Sequence, residues 1–391
     1  MSVRIGTGLS LEADPRLAAI DAGARARAGL GGRGADVVCA FCTGAHLSAP
    51  EAMLEGVHEA LAPSVLAGCG AGGVMADGHE VEDGTAVAIW AASLGDGAAE
   101  AFHAQTVEGP DAVAVTGLPD LEGATGAVLF CDPYGFPTEP VLTELSARSP
   151  GIPILGGLSS ARTAEGGAAL FVGDEVVDGG AVGLRFRDVE LLPCVSQGAA
   201  PVGPELTVTD GDGHTIRELG GEPALPALRG AIEGLAPSER AMIANGLLLG
   251  IVLNGAERPG GGEEPGEGFL VRGLIGADPE AGTVSVGAEV EPGTVVRLHA
   301  RDADSADRDL REALGLRREA LGGHRPAGAL VFTCNGRGRG LFGEPDHDAT
   351  TLARELAGAP AAGFFAAGEI GPVGGSTFLH GFTATVAVFP G

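Results

Sequence analysis

A strand ending in cysteine recurs three times along these 391 residues, each time followed by a helix, a glycine-bearing strand and a return strand. The first copy reads as strand Val37–Cys42, helix Glu51–Leu61, strand Val65–Gly68 and strand Thr85–Trp90. The second reads Val128–Cys131, Glu139–Ala147, Ile152–Gly156 and Ala181–Phe186. The third reads Val331–Cys334, Thr350–Ala357, Gly363–Ala367 and Phe382–Phe389. From Cys42 to Gly68, Cys131 to Gly156 and Cys334 to Gly363 the spacing is 26, 25 and 29 residues. Such regularity points to duplication. A strand–helix–strand run calls for a parallel crossover, and the return strand makes each sheet mixed. The helices carry apolar faces at helical spacing: Leu54, Val57 and Leu61; Val141 and Leu145; Leu352 and Leu356. Ser48 and Glu51 form a capping box with Pro50 in the first turn. Gly173 and Asp174 suit a two-residue hairpin turn. The expected fold is α/β: duplicated β-α-β-β units forming mixed sheets flanked by helices, with two halves sharing a cleft.

Residues 198–301 break the pattern. They read as a hairpin, a helix after Pro223, a strand Leu247–Leu253, and a meander of Phe269–Leu274, Thr283–Val286 and Val295–His299. A Pro/Gly/Glu-rich loop covers Arg258–Gly268, and a helix Asp302–Leu314 leads into the third copy. The stretch Gly198–Pro204 marks the boundary between two domains, 1–197 and 198–391.

In an open α/β sheet, ligands gather at the carboxyl edge of the strands, near helix N-termini. The loops after Cys42, Cys131 and Cys334 are the crest loops, and the three cysteines are read as sharing one structural position. Only the third crest combines charge with glycine: Cys334, Asn335, Gly336, Arg337, Gly338 and Arg339. A second glycine loop, Gly368–Glu369, follows the next strand. Arg337 and Glu369 are the leading ligand-binding candidates, able together to clamp a zwitterion through a guanidinium–carboxylate and a carboxylate–ammonium contact. Cys334, Asn335, Gly336, Gly338, Gly368 and Ser159 complete the candidate site. The largest pocket is expected to touch both Arg337 and Glu369, with 156–160 or 68–73 opposite.

These C-terminal segments, with Leu379–Thr383 beyond them, resemble the C-terminal half of a FIST domain, the sensory module of F-box and intracellular signal transduction proteins. The run Val208–Leu219 followed by Pro223 and Ala224 is similar to that family's entry into its C-terminal part. Leu66–Gly70 and Ile154–Leu158 are similar to its N-terminal part. The resemblance implies a FIST N-terminal-like domain over 1–197 and a FIST C-terminal-like domain over 198–391. It also implies sensing of a small ligand and relay of a signal, without a known reaction. Some proteins of that kind are thought to bind haem and sense nitric oxide; His380 is the best-placed axial histidine for that alternative.

Other chemistries are narrowed by what the chain lacks. All 24 basic residues are arginine, so a Schiff-base lysine and a Walker-type lysine are excluded. The net charge of −28 repels nucleic acid and anionic membranes. No cationic, apolar leader opens the sequence, and no apolar run reaches the length of a membrane span. Cys39 and Cys42 form a Cys-x-x-Cys on a strand, where the two side chains face opposite ways, which argues against a zinc site. Gly68–Gly73 satisfies G-x-G-x-x-G, but Val74–His79 does not open a helix, so tight packing is the better reading than a dinucleotide site. Ser159 and Ser160 lack the nucleophile elbow. The sequence therefore points to a cytoplasmic small-ligand sensor, with no catalytic residue, no metal and no cofactor, that works through a small polar ligand such as an amino acid and a separate signalling protein. The rivals are a haem-based gas sensor and an enzyme acting through Cys334 or Glu369.

Overall fold

The structure is a computed structural model; it describes residues 2–108, 113–164, 166–243, 246–252 and 269–391. The loop Arg258–Gly268 and residue Leu253 lie outside the described residues. The chain forms two compact units. One comprises Met1–Ser196, Leu310–Pro372 and Ser376–Gly391; the other comprises Gln197–Asp309 and Val373–Gly375.

The first unit holds all three repeats. Each has a parallel pair joined by a helix, with the return strand antiparallel on the first strand. Val37–Thr43 pairs in parallel with Val65–Gly70, Gly126–Cys131 with Ile154–Leu158, and Pro326–Cys334 with Ala361–Ala366. The return strands Ala86–Ser93, Ala181–Arg187 and Ala384–Pro390 lie on the other side of each first strand. A further antiparallel strand flanks each return strand: Arg4–Ser10, Ala98–Glu108 and Leu192–Ser196. The crossover helices are Pro50–Leu61, Thr138–Arg148 and His347–Glu355. The sequence pattern marks neither the Arg4–Ser10 strand nor the alanine- and arginine-rich helix Pro15–Gly29.

Between second and return strand each repeat extends a hairpin, and none of the three stays on its own sheet. The hairpin Val74–Ala76/His79–Val81 of the first repeat pairs with the second strand of the third, Phe364 opposite Val74. The hairpin Leu170–Val172/Glu175–Val177 of the second pairs with the first, Leu170 opposite Cys69. Glu369–Val373/Ser376–His380 of the third pairs with the second, Gly156 opposite Ile370. The exchange is cyclic: each sheet receives a hairpin from another repeat, which covers the edge of its second strand.

The first and second strands are buried on both faces, so they carry continuous apolar runs rather than alternation. One face of all three sheets enters a common core containing Phe41, Phe130, Phe332 and Phe364. Their ring centroids lie 5.1–6.0 Å apart in a closed set of contacts. Burying each ring stabilises the fold by roughly 1.5–3 kcal/mol before entropy is counted. The other faces pack separately under their own helices.

One glycine per repeat allows this close pairing. A Cβ on Gly68, Gly156 or Gly363 would stand 1.9, 1.9 or 1.7 Å from the carbonyl oxygen of Ala40, Leu129 or Val331. These three carbonyls fix the true register of the repeats. Two residues beyond them stand Cys42, Cys131 and Thr333. The counterpart of the first two cysteines is therefore Thr333, and the expected equivalence with Cys334 is corrected. Side chains alternate across a strand, so a one-residue offset changes faces. Cys42 and Cys131 lie in helix layers, whereas Cys334 has the parity of Phe332, which faces the common core. Cys39 and Cys42 do sit on opposite faces of their strand.

The capping box is also corrected. Ser48 closes a short 3-10 turn, Gly44–Ser48, by donating to the Ala45 carbonyl. The residue preceding the helix is Ala49, and Pro50 opens it.

The second unit is inserted between the flanking strand and the first strand of the third repeat. Its strands Ala200–Asp212, Val295–Ala300, Leu247–Val252, Phe269–Asp278, Thr283–Val286 and Thr215–Leu219 pair antiparallel in that order. Pairing of the last with the first closes the ring. The helix Ala224–Glu233 follows Pro223 as expected. The second unit begins at Gln197, and the chain re-enters the first unit at Leu310. Among the described residues, no helix is long and apolar enough to cross a membrane.

Candidate functional site

The third crest is built around a buried ion pair. Arg337, 1% exposed, donates from Nε and Nη2 to the two carboxylate oxygens of Asp348 at 2.7 and 2.9 Å. Thr333 Oγ1 donates to the same carboxylate at 2.8 Å, and His347 Nδ1 lies 3.1 Å from it. Burial works to raise the Asp348 carboxyl. The Arg337 guanidinium, with the His347 and Thr333 hydrogen bonds, outweighs it and holds the group well below the usual carboxylate range. The guanidinium carbon stands 5.2 Å from the Phe342 ring centroid, and His347 stacks on that ring at 3.4 Å. The Arg337 fork is thus occupied by Asp348, a residue the sequence reading did not single out.

Glu369 is fully buried at the start of the third repeat's hairpin. Its Oε2 accepts from the Thr383 backbone N–H at 3.0 Å and from Thr383 Oγ1 at 2.5 Å. Burial pushes its carboxyl up to about 8, against the lowering effect of Thr383, Arg337 and Cys334. Oε1 is buried without a hydrogen bond of its own; the Cys334 thiol is the side chain placed to supply one. Phe382, preceding Thr383, has φ +67°, a backbone conformation that bulky residues rarely adopt.

The remaining candidates divide. Asn335 is exposed beside Cys334, and the Gly336 N–H points at Cys334 Sγ at 3.4 Å. Gly338 is needed for packing: φ is +70°, and a Cβ there would meet the Glu82 carboxylate at 2.4 Å. Gly368 packs between Leu158 and Leu379 and accepts from the Leu158 N–H. Ser159, fully buried, donates to the Gly70 and Ala161 carbonyls at 2.8 and 3.2 Å, so its hydroxyl is a tie between strand ends. Ser160 accepts from the Gly72 N–H and donates to the Phe365 carbonyl. These contacts join the two sequence halves at one crest. Arg339 is exposed; its N–H donates to Glu82. His380 is 3% exposed, with Nε2 in a 2.9 Å hydrogen bond to the Gly371 carbonyl. Among the described residues no three His, Cys, Asp or Glu side chains converge as metal ligands.

Glu80 extends this network from the first repeat's hairpin. Its Oε1 accepts from the Ala349 N–H, and its own N–H donates to Asp346. Burial and then the nearby Asp348 charge push its carboxyl up to about 7.

A cavity of about 890 Å³ opens elsewhere. It touches neither Arg337 nor Glu369, contrary to expectation. It lies on the first two crests, among Ser48, Glu51, His103, Asp132, Thr163 and Asp178. The reason is local. On the third crest Arg337 is paired with Asp348 and Glu369 with Thr383, whereas on the second the short Asp132–Gly135 turn folds back on itself. Asp132 accepts from the Tyr134 and Gly135 N–H groups at 3.1 and 2.8 Å. His103 Nε2 lies 3.2 Å from the Gly179 carbonyl and braces the opposite wall. Among the described residues no arginine lines the cavity, while three carboxylates do: Glu51, Asp132 and Asp178. The sequence shows these acids but gives no cue that they line one cavity, because Asp178 lies just beyond an exchanged hairpin, far in sequence from Glu51 and Asp132.

Comparison with known proteins agrees with this architecture. A FIST N domain matches residues 36–222 and a FIST C domain residues 224–372. The uncharacterized protein Rv0628c of Mycobacterium tuberculosis (strain ATCC 25618 / H37Rv) is 41% identical over 389 residues, covering 99% of this chain and 100% of that protein. The uncharacterized protein Mb0898c of Mycobacterium bovis (strain ATCC BAA-935 / AF2122/97) is 41% identical over 389 residues, covering 99% of each. With both domain models matched in order over most of its length, the chain belongs to the FIST family, whose domains are associated with signal transduction.

Proposed function

We propose that this protein is a small-ligand sensor of a signalling system and that its ligand occupies the 890 Å³ cavity on the first two crests. That cavity is the observation that carries the reading. Its volume falls in the range of small-molecule sites, and it sits at the carboxyl edge of the strands where α/β proteins take ligands. Three carboxylates, with no arginine among the described lining residues, on a chain of net charge −28, favour a ligand bearing an amine or another cationic nitrogen. The neutral polar groups of Ser48, Thr163 and His103 suit hydroxyl or amide substituents. The walls come from two repeats and a flanking strand, so an occupant contacts several elements and favours one arrangement of them. A separate protein then reads that arrangement. The ligand leaves unchanged, which distinguishes a sensor from an enzyme.

The test is native mass spectrometry of the protein purified from its host, followed by titration of any released molecule. Asp178 is exposed, so Asp178→Arg places a cation at the rim without disturbing the core. The reading expects a retained cationic small molecule that is lost in Asp178→Arg at unchanged melting temperature. Retention that is indifferent to Asp178→Arg would place the ligand elsewhere.

A further inference from the structure

Given a cationic ligand in the cavity, as proposed above, we infer that the second crest recognises a guanidinium and that Arg162 stacks in its place until the ligand arrives. The observation that carries this is a cation lying on a ring at the cavity's edge. The Arg162 guanidinium carbon stands 3.8 Å from the centroid of the Tyr134 ring. Tyr134 lies in the turn between Asp132 and Gly135, and Arg162 directly precedes Thr163; those three neighbours all line the cavity. The stack therefore ties two lips of the cavity together, the 132–135 turn and the 162–168 loop.

Both lips are fixed by other contacts. The Asp132 N–H donates to the Gly180 carbonyl at 2.8 Å, and its carboxylate accepts from the Tyr134 and Gly135 N–H groups. Thr106 Oγ1 donates to the Gly135 carbonyl at 3.1 Å. On the other lip Arg162 forms a β-bridge with Ala168, and the Thr163 N–H donates to the Gly167 carbonyl at 2.9 Å. The Ala168 N–H donates to the Asp178 carbonyl at 3.2 Å. None of these bonds uses the Arg162 or Tyr134 side chain, and both side chains are exposed. The stack can open while each lip keeps its shape.

The chemistry of the turn selects the cation. A guanidinium is planar, stacks on an aromatic face and pairs with a carboxylate through two parallel N–H groups; an ammonium has neither the plane nor the paired donors. The turn offers the ring, which already takes one guanidinium, and the Asp132 carboxylate, whose two backbone donors leave lone pairs for more. Asp132 is 7% exposed, whereas Glu51 and Asp178 are exposed, so it is the acid least screened by water and salt. When the ligand's guanidinium takes the ring, Arg162 leaves it and the lips lose their tie. Occupied and empty states then differ in a contact at the surface, where a separate protein can read it.

The test titrates the full-length protein with n-butylguanidine and with n-butylamine by calorimetry, in salt that screens the bare charge of exposed Arg162. Tyr134 is the only tyrosine, so ring-labelled protein gives a single tyrosine NMR signal that follows the stack. n-Butylguanidine is expected to bind about fivefold or more tighter than n-butylamine and to shift that signal. Arg162→Ala should tighten its binding by about two- to fivefold, and the gain should vanish when Tyr134→Leu is also present. Both side chains are exposed, so these variants leave the core intact. No binding of n-butylguanidine, equal binding of the two probes, or the same gain with and without Tyr134 overturns the inference. The cavity itself is decided separately: a retained cationic ligand that is lost in Asp178→Arg stands even where the Arg162–Tyr134 cycle fails.

Discussion

Arg337 shows how the same residue reads differently with and without its partner. From sequence, an arginine between glycines at a strand end is a ligand clamp. In the fold, its fork is filled by Asp348, and both groups are buried. Removing one member of such a pair strands the other charge. Arg337→Ala should therefore destabilise the protein by about 3–5 kcal/mol, measured by denaturant unfolding, and should not act first on ligand affinity. Glu369 gives a second prediction. The unfolded state gives up this proton near the ordinary 4.5, and the folded state keeps it up to about 8. Between those values the folded state binds more protons, so this group's contribution to stability falls as pH rises. Glu80, raised to about 7, acts in the same direction. Asp348, held low, acts oppositely and loses its contribution as pH falls into the acid range. Equilibrium unfolding from pH 5 to 8 should show declining stability, and Glu369→Gln should flatten part of that slope.

At the scale of elements, the crossover strands and helices were legible because their apolar runs and spacings are strong. The register of the third repeat was not. Cys334 aligns with Cys42 and Cys131 by eye, yet the close-packed glycines show that Thr333 is the counterpart. A cysteine and a threonine both fit a buried strand end, so composition does not reveal the offset. Asp348 was hidden for a similar reason: it lies on the next helix, and its side chain reaches back to the crest. The close-packed glycines make a direct prediction. Gly363→Ala would press a Cβ against the Val331 carbonyl. It should cost about 1–3 kcal/mol by overpacking. Gly340→Ala has open space around it and should be neutral, with both variants compared by thermal melting.

At the scale of the molecule, the exchanged hairpins decide what the chain can be. No pattern in the sequence says that a hairpin pairs with another repeat, because a two-residue turn looks the same wherever its strands dock. The exchange explains why Leu310–Pro372 and Ser376–Gly391 join Met1–Ser196 in one unit despite the intervening barrel. It also explains why cavity walls come from distant segments. The central claim is that the three repeats form one closed cycle. Native-state hydrogen exchange with mass spectrometry under increasing denaturant tests it most directly. The account predicts that peptides covering 74–81, 154–158, 170–177 and 361–373 lose protection together, in one cooperative opening. Protection surviving in 154–177 after 326–390 has opened would show that the third repeat is an independent unit, and would contradict the closed cycle.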